Sequence, residues 1–588
     1  MQTSRSLLLV ALASCTTLLL GSLGFHDLDP DQGWFTSLYK SAQLFSMGSG
    51  VVEEKNTPLF IEISRWLAVA AVIGGVYATL TSLMSDFRER RRLASLNGHA
   101  IVCGVGNRGS EIARAFTSEK SSNRQVVVIE LDEHNPALGE LRNLAETEGI
   151  TLSIVNGNAL DESVLERAGV RRARTLVAVT GNDEKNLSIC AEAEKMNKGC
   201  TLSAGIESWA WRSFYLDRLR SQIRLDSYLS RAARNLTLTL ACDAIRSANL
   251  RSNGVRLLIE ASPNTRQELI RAAALNLQIA GDKRPTLELT NATQEEEDSF
   301  NDRFPATSLV VDLHWHRSSA SRTFPEHAPS FPDFAIFALD DDIETLEAAE
   351  RCWMRSTIPS HRVRACVQSE SNSIEMPAIQ RRSDDFVIEN IFKLGLGSSD
   401  PTEIDIENRA KICHAIYFKN EKEKNEKEKK HAYGTAPGDL PEDWNQLSER
   451  VRESNRLLAM HHEVKRVAWE HREGTPDVEL LKHLSRCEHM RWMAEKVMDG
   501  WRWSGSTDKS SRDNLRLKHH LLVHFDALEN PEKDKDFNAF LWALAIPDEQ
   551  LQGLDLSEDI KRLAREDHRL STRFSASSPS TPKTITSS

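Results

Sequence analysis

The residues whose types and spacing imply chemistry are three glycines and an acid. Gly104-x-Gly106-x-x-Gly109 lies between an apolar run, HAIVC, and an amphipathic run, SEIARAF, and Glu130 ends a second apolar run, QVVVIE. Each glycine answers a separate need: Gly104 permits a tight turn, Gly106 lets backbone approach a pyrophosphate, and Gly109 lets a helix pack on a strand. The unpaired N–H groups at the start of that helix, where Asn107 and Arg108 sit, face an anion. Glu130, at the carboxyl end of the second strand, can accept both hydroxyls of a ribose, and Asp132 follows it closely. A nucleotide site is expected.

Such a site needs a parallel sheet to hold it. Apolar strands at Ile150–Asn156 and Thr175–Thr180 lead into GNALDESVLERAGV and GNDEKNL. Gly157-Asn158-Ala159, Ala168-Gly169-Val170 and Thr180-Gly181-Asn182-Asp183 with Asn186 closely resemble the G-D-A, A-G-V and T-x-x-D-x-x-N motifs of the RCK/KTN (TrkA-N-type) family, domains that regulate potassium conductance and transport. The resemblance implies a doubly wound parallel sheet over residues 98–250 that binds NAD(H), ATP or ADP in a dimer or a ring. Arg108 has two open readings, a phosphate contact or a solvated surface arginine. Asn158 stands where the family has Asp and removes a charge near the ligand. Asp183 is either a ligand contact at the sheet edge or a helix N-cap.

Ahead of this unit, Leu7–Gly24 and Trp66–Met84 are apolar, uncharged and long enough to cross a hydrocarbon core about 30 Å thick. Arg88, Arg90, Arg91 and Arg92 place the end of the second run in the cytoplasm. Leu12-Ala13-Ser14-Cys15 looks like a lipoprotein cleavage site, but the apolar run continues past it to Leu23, so a retained helix is expected. Between the runs, Trp34, Phe35, Leu38, Ala42 and Phe45 recur at helical spacing before Met47-Gly48-Ser49-Gly50. The order of helix, loop and helix resembles two-helix potassium channels, which assemble four subunits around one pore, and Gly74-Gly75 falls where their inner helix would hinge. The candidate filter is Ser46, Met47, Gly48, Ser49 and Gly50, without the Thr and Tyr of T-V-G-Y-G. That degeneracy leaves a plain hairpin anchor as the alternative.

Downstream, strands at Val255–Glu260, Thr286–Leu289, Ser308–Leu313, Phe334–Leu339 and Arg362–Val367 alternate with helical runs. They predict a second Rossmann-like unit over residues 253–400 whose turn has lost its glycines, hence a structural or dimerising copy. Asp340-Asp341-Asp342 reads as helix caps. Residues 403–570 are helical, with runs at Ile406–Phe418 and Trp444–Trp469. Glu488-His489, Trp492, Gly500-Trp501, Gly505, His519 or His520, Leu522, Asp526 and Leu528 then resemble the repeat first described in ryanodine receptors, the RyR domain. That resemblance implies a sensory module with no reaction attached. Its candidate pocket is His489, Arg491, Trp492, Trp501 and Trp503, suited to a flat anionic, nucleotide-type ligand. His520 and His524 stand four apart but lack a third ligand, so no metal is expected. The Ser/Thr/Pro-rich tail 571–588 is expected to be disordered.

A net charge of -11 over 588 residues argues against a nucleic-acid partner, and nine cysteines without a C-x-x-C pair give no zinc framework. The expected fold class is α/β with membrane helices: a two-helix transmembrane hairpin (1–92), a doubly wound Rossmann-like domain (98–250), a degenerate second one (253–400) and a helical RyR-like domain (403–570). The expected function is a nucleotide-regulated, potassium-type channel or channel-like protein, oligomeric, in the cell (inner) membrane with its soluble domains in the cytoplasm. The alternative is a membrane-anchored nucleotide sensor that conducts nothing. No Lys, Tyr or His constellation is placed for proton transfer, so no enzymatic activity is expected.

Overall fold

The computed structural model describes residues 2–46, 57–117, 125–216, 223–247, 254–324, 331–356, 362–368, 386–396, 404–428, 443–472 and 478–544, with a few isolated positions besides. The chain divides into two compact units, Met1–Leu96 and Asn97–Ser588.

The first unit holds α1 (Gln2–Leu28), α2 (Trp34–Gln43), a short turn Leu44–Ser46 and α3 (Leu59–Ser95). Leu8–Leu28 and Leu59–Tyr77 are long and apolar enough to cross a membrane, with mean hydropathies of 2.0 and 1.7. The second window opens ahead of the expected Trp66 and takes in Glu62 and Arg65, which pair at 2.7 Å one turn apart in a helix that begins directly after Pro58. α3 runs unbroken through Gly74-Gly75, where Gly74 lies against Val10 of α1.

α2 buries a different face from the one its spacing suggests. Ser37 and Ser41 are fully buried, and the Ser41 hydroxyl lies 3.1 and 3.2 Å from the carbonyls of Thr17 and Leu18 in α1. Gly21 makes room, since a Cβ there would collide with the Ser41 hydroxyl. Small side chains allow this close approach, as they do between membrane helices. Trp34, Phe35, Leu38 and Tyr39 are left exposed. Of the candidate filter, Ser46 ends the short turn and donates to the Gln43 carbonyl at 2.7 Å. Met47, Gly48, Ser49 and Gly50 lie outside the described residues.

The second unit carries two parallel six-stranded sheets. The first contains β1 (Ala100–Cys103), β2 (Gln125–Glu130), β3 (Thr151–Asn156), β4 (Thr175–Ala178), β5 (Thr201–Gly205) and β6 (Ile223–Asp226), ordered β3-β2-β1-β4-β5-β6. The second contains β7 (Arg256–Ala261), β8 (Thr286–Leu289), β9 (Asp312–Trp315), β10 (Phe334–Ala338), β11 (Val363–Val367) and β12 (Val387–Asn390). Its order, β12-β11-β10-β7-β8-β9, is the same topology read from the other edge. Each sheet therefore reverses direction beside its first strand, where open α/β sheets bind ligands. The expected strand at Ser308–Leu313 is instead a short turn, Thr307–Leu309, followed by β9.

Helices Ile404–Glu428, Glu449–Glu470, Val478–Val497 and Asn530–Leu541 make up the C-terminal region. It shares one continuous core with the second sheet: Leu257, Ile259, Leu269 and Phe300 pack into the same cluster as Val467, Leu484, Met493 and Phe540. His520 and His524 share no helix, which removes the i, i+4 geometry a metal pair would need.

Buried charge is concentrated here. Arg456 is 2% exposed and contacts Glu407 at 2.6 Å, Glu449 at 2.7 Å and Glu453 at 3.2 Å. Burial alone would raise Glu407 and Glu453; Arg456, joined at Glu453 by Arg234, overrides it and holds both carboxyls down at about 2. Against an unfolded carboxylate range of about 4.3, their stabilisation is complete above that range and is lost as pH falls through the folded values. Urea denaturation across a pH series should thus show stability falling from about pH 5 to about pH 2, with a smaller loss over that window in Arg456→Gln.

Candidate functional site

The glycine turn sits at the carboxyl end of β1, beside the reversal point between β1 and β4. Gly104 has φ +91°, and a Cβ on it would lie 2.8 Å from the Thr180 Cα and 2.9 Å from the Val179 carbonyl oxygen. A Cβ on Gly109 would fall inside the Gly104 carbonyl, so only glycine lets α4 (Asn107–Thr117) approach β1 this closely. Gly106 differs from both: nothing lies within 4 Å of its would-be Cβ, and it is exposed together with Asn107. Open space thus lies above the start of α4, where the first N–H groups have no intrahelical acceptor and the helix dipole favours an anion.

Glu130 is more committed than its spacing suggests. Its carboxylate accepts from the backbone N–H groups of Val105 (2.7 Å), Leu131 (2.9 Å) and Asp132 (3.1 Å). With about four acceptor positions on a carboxylate, roughly one remains for a ligand, so a grip on both ribose hydroxyls is not available in this arrangement. Asp132 is exposed and accepts from the His134 N–H at 2.9 Å. Asn135 is a site residue that the spacing did not single out. It caps the helix Pro136–Glu148 and donates from Nδ2 to the Val105 carbonyl at 2.9 Å, bracing the glycine turn from outside. The Asn-Pro pair that opens that helix was its signal.

Asn158 and Ala159 sit next to Glu130 because the Gly157 N–H donates to the Glu130 carbonyl at 3.0 Å. The Asn158 side chain accepts from the Leu160 N–H at 3.1 Å and is exposed, while Ala159 is buried. On the other flank, Asn186 fixes the strand ends. Its Oδ1 accepts from the Thr180 N–H and hydroxyl, each at 2.8 Å, and its Nδ2 donates to the Gly205 carbonyl at 2.7 Å.

Two side chains correct the sequence reading. The cap of helix Asp183–Met196 is Asn182, not Asp183; Asp183 reaches across to accept from the N–H groups of Glu207 (3.1 Å) and Ser208 (2.9 Å). Arg108 is neither solvated nor aimed at open space above the turn. It lies over Gly205, is ion-paired with Glu207, sits 3.8 Å from Asp226, and stacks over the Tyr228 ring at 5.0 Å. Burial would raise Asp226, but Arg231, Arg224 and Arg108 hold it well below the usual carboxylate range. Glu207 escaped the sequence reading because β5 and β6, which position it, mix Thr, Ser, Arg and Asp into short strands.

The second sheet has no equivalent space. At the end of β7 the turn begins Ser262-Pro263, and Arg266 fills it, donating to the carbonyls of Ala261 (2.5 Å), Asn291 (3.1 Å) and Thr290 (3.2 Å) and pairing with Glu296. Asp341 caps the helix Asp342–Arg355 and Asp342 accepts from the Gln368 N–H at 2.7 Å.

The pocket expected in the C-terminal region is divided. His489, Trp492 and Trp501 do converge, with Trp492 stacked on His489 (5.7 Å) and both indoles packed edge-on to His519 (5.0 and 5.7 Å). They form core rather than cavity wall, and His489 is spent on the Val523 carbonyl (2.9 Å) and Asp536 (3.3 Å). Arg491 is buried elsewhere, between Glu488 and Glu495 at 3.0 Å each, and Trp503 is 48% exposed.

Residues 100–209 match the TrkA-N domain family. Potassium channel protein 1 of Methanocaldococcus jannaschii is 28% identical over 192 residues, covering 30% of this chain and 54% of that protein. This chain therefore spans about half of that relative's length. A solved structure of GsuK bound to ADP is similar over 67% of this chain and 96% of its own, at 15% identity and a TM-score of 0.31. The GsuK channel bound to NAD is similar over 67% of this chain and 83% of its own, at 15% identity and a TM-score of 0.32.

Because the space at Gly106 is open and that at Gly109 is not, two substitutions should separate. Gly106→Asp should leave the melting temperature close to that of the natural chain, because its side chain enters open space. Gly109→Ala should lower the melting temperature without ligand, through an overpacking destabilisation on the order of 1–3 kcal/mol.

Proposed function

We propose that this chain is a nucleotide-responsive membrane protein of the potassium-channel type, with NAD(H) or an adenine nucleotide held at the glycine turn. The single observation that carries this reading is the open cradle at Gly106, between the bare start of α4 and the fixed carboxylate of Glu130. Asn107 and Gly109 would offer backbone N–H groups to the phosphates, and Glu130, Asp132 and Asn158 would face the ribose and base. The bound nucleotide supplies charge and shape rather than a reaction, so the role is regulatory.

Regulation requires the ligand to favour one arrangement of the protein by differential affinity. Several contacts support transmission from α4. Helix Ile391–Leu396, which follows β12 directly, packs on α4 and on helix Tyr228–Arg246. Phe392 meets the Tyr228 ring at 5.0 Å, and Tyr228 in turn lies under Arg108. Along the chain, only Leu96 to His99 separate the end of α3 from β1, a short tether between the apolar helices and the sheet.

The TrkA-N match and the similarity to a potassium channel protein support the conductance part of the proposal. The two apolar windows and Arg88 to Arg92 support an inner-membrane hairpin with cytoplasmic sheets, and a homo-oligomer around a pore follows from that reading. The C-terminal helical region is proposed as an RyR-like second sensor. One observation favours a second reading, a membrane-anchored sensor without conductance: the filter segment lacks the Thr and Tyr that brace potassium sites.

Potassium flux from proteoliposomes holding the full chain separates the two. The channel reading expects flux that ADP or NAD changes severalfold, and flux in Gly106→Asp that ignores both. Absence of flux under every nucleotide condition, with nucleotide binding intact, leaves the sensor reading alone.

A further inference from the structure

Among the described residues, the buried and half-buried arginines are repeatedly tied to carboxylates: Arg108 to Glu207, Arg266 to Glu296, Arg456 to three glutamates, Arg491 to two. In one loop only Arg516, with Asp513 at 3.9 Å, keeps to that rule. Arg502, Lys509, Arg512 and Lys518 have no carboxylate within ion-pair distance among the described residues, although the chain as a whole carries a net charge of -11. All four sit on the segment that leaves the helix Val478–Val497 and returns through β13 (Arg502–Trp503) and β14 (Lys518–His519).

The loop is built rather than loose. The Arg502 N–H donates to the Leu517 carbonyl at 2.8 Å and the Ser504 N–H to the His519 carbonyl at 3.2 Å. The Ser504 and Ser511 hydroxyls meet at 2.7 Å, which draws the turn Lys509–Ser511 against the strand that carries Trp503. Arg512 then lies over the Trp501 ring at 5.8 Å, anchored by Asn514 at 2.8 Å. Under this turn, His519 and His520 stack at 4.9 Å with ring planes 8° apart. His520 is 8% exposed, and its Nδ1 is buried without a hydrogen-bond partner. A buried polar atom left unmatched beneath unpaired cations marks a place where a further group belongs. Burial first, then Arg512 and the stacked His520, with Lys496 and Lys535 adding to them, push His519 down to about 3, so this imidazole stays neutral beneath the loop.

We propose that the loop Arg502–Lys518 is a binding site for a ring-bearing phosphate ester, with Arg512 and Lys509 holding the phosphate and the exposed face of Trp503 carrying the ring. Guanidinium and ammonium groups without a carboxylate partner suit a phosphate, whereas Arg491 and His489 are spent on internal partners. An exposed indole beside them suits a flat base. The site deepens the reading of the C-terminal region as a second sensor and rests on it, but is independent of the glycine turn.

The test uses the full chain carrying Gly106→Asp, which closes the other site, titrated with ADP by equilibrium dialysis and by quenching of tryptophan fluorescence. The site predicts residual saturable binding, competed by inorganic phosphate and weakened at least tenfold by Arg512→Glu with Lys509→Glu. Trp503→Ala should weaken it and remove most of the quenching. These side chains are exposed, so melting temperatures without ADP should stay close to that of Gly106→Asp. Residual binding indifferent to the charge reversals, or none at all, overturns the proposal; loss of all binding with Gly106→Asp alone does so while leaving the glycine turn's reading intact. Displacement of ADP by phosphatidylglycerol vesicles but not by inorganic phosphate would make the loop a lipid contact and also overturn it.

Discussion

Everything proposed for the first sheet depends on how closely α4 can lie against β1. Gly109 has no room for even one carbon beyond its backbone, because the Gly104 carbonyl fills that position. This contact fixes the helix start over the sheet edge and leaves the space above Gly106 empty of side chains. Asn135, Glu130 and Asn186 then hold the turn and the adjoining strand ends through backbone groups. The cradle is therefore preorganised by hydrogen bonds that close within the protein, and a ligand need not order it.

The second sheet shows what the same topology becomes without those glycines. Its order is identical, yet Arg266 occupies the turn and takes three carbonyl oxygens at the strand ends. A cation of the protein's own satisfies those groups internally, and the C-terminal helices share the core on one side of that sheet. The two sheets thus share a topology and differ at the same place, with an open edge in the first and a filled edge in the second. Between them, Tyr228 and Phe392 provide a packed connection from the glycine helix to the last strand of the second sheet.

Much of this was legible in the sequence because it is written in backbone requirements. A glycine at φ +91° or against a carbonyl admits no substitute, and long buried strands such as QVVVIE and RLLIEA are unmistakably apolar. What stayed hidden depends on partners distant in the chain. β5 and β6 are short and mix Thr, Ser, Arg and Asp into their pattern, so Glu207 and Asp226, which capture Arg108, gave no local signal. The helical spacing of Trp34, Phe35 and Leu38 suggested a buried face, whereas close packing on α1 selected Ser37 and Ser41 instead. Likewise Arg491 and His489 looked like ligand contacts by type, but Glu488, Glu495 and Asp536 claim them from neighbouring turns.

The central proposal is that a nucleotide sits between Gly106 and Glu130 with its base toward Asp132 and Asn158. Photolabelling of the full chain with 8-azido-ADP, followed by peptide mapping, tests it most directly. The account predicts label on peptides holding residues 131–134 or 158–160, removed by excess ADP or NAD. Label confined to other regions of the chain, or label that excess nucleotide leaves unchanged, would contradict it.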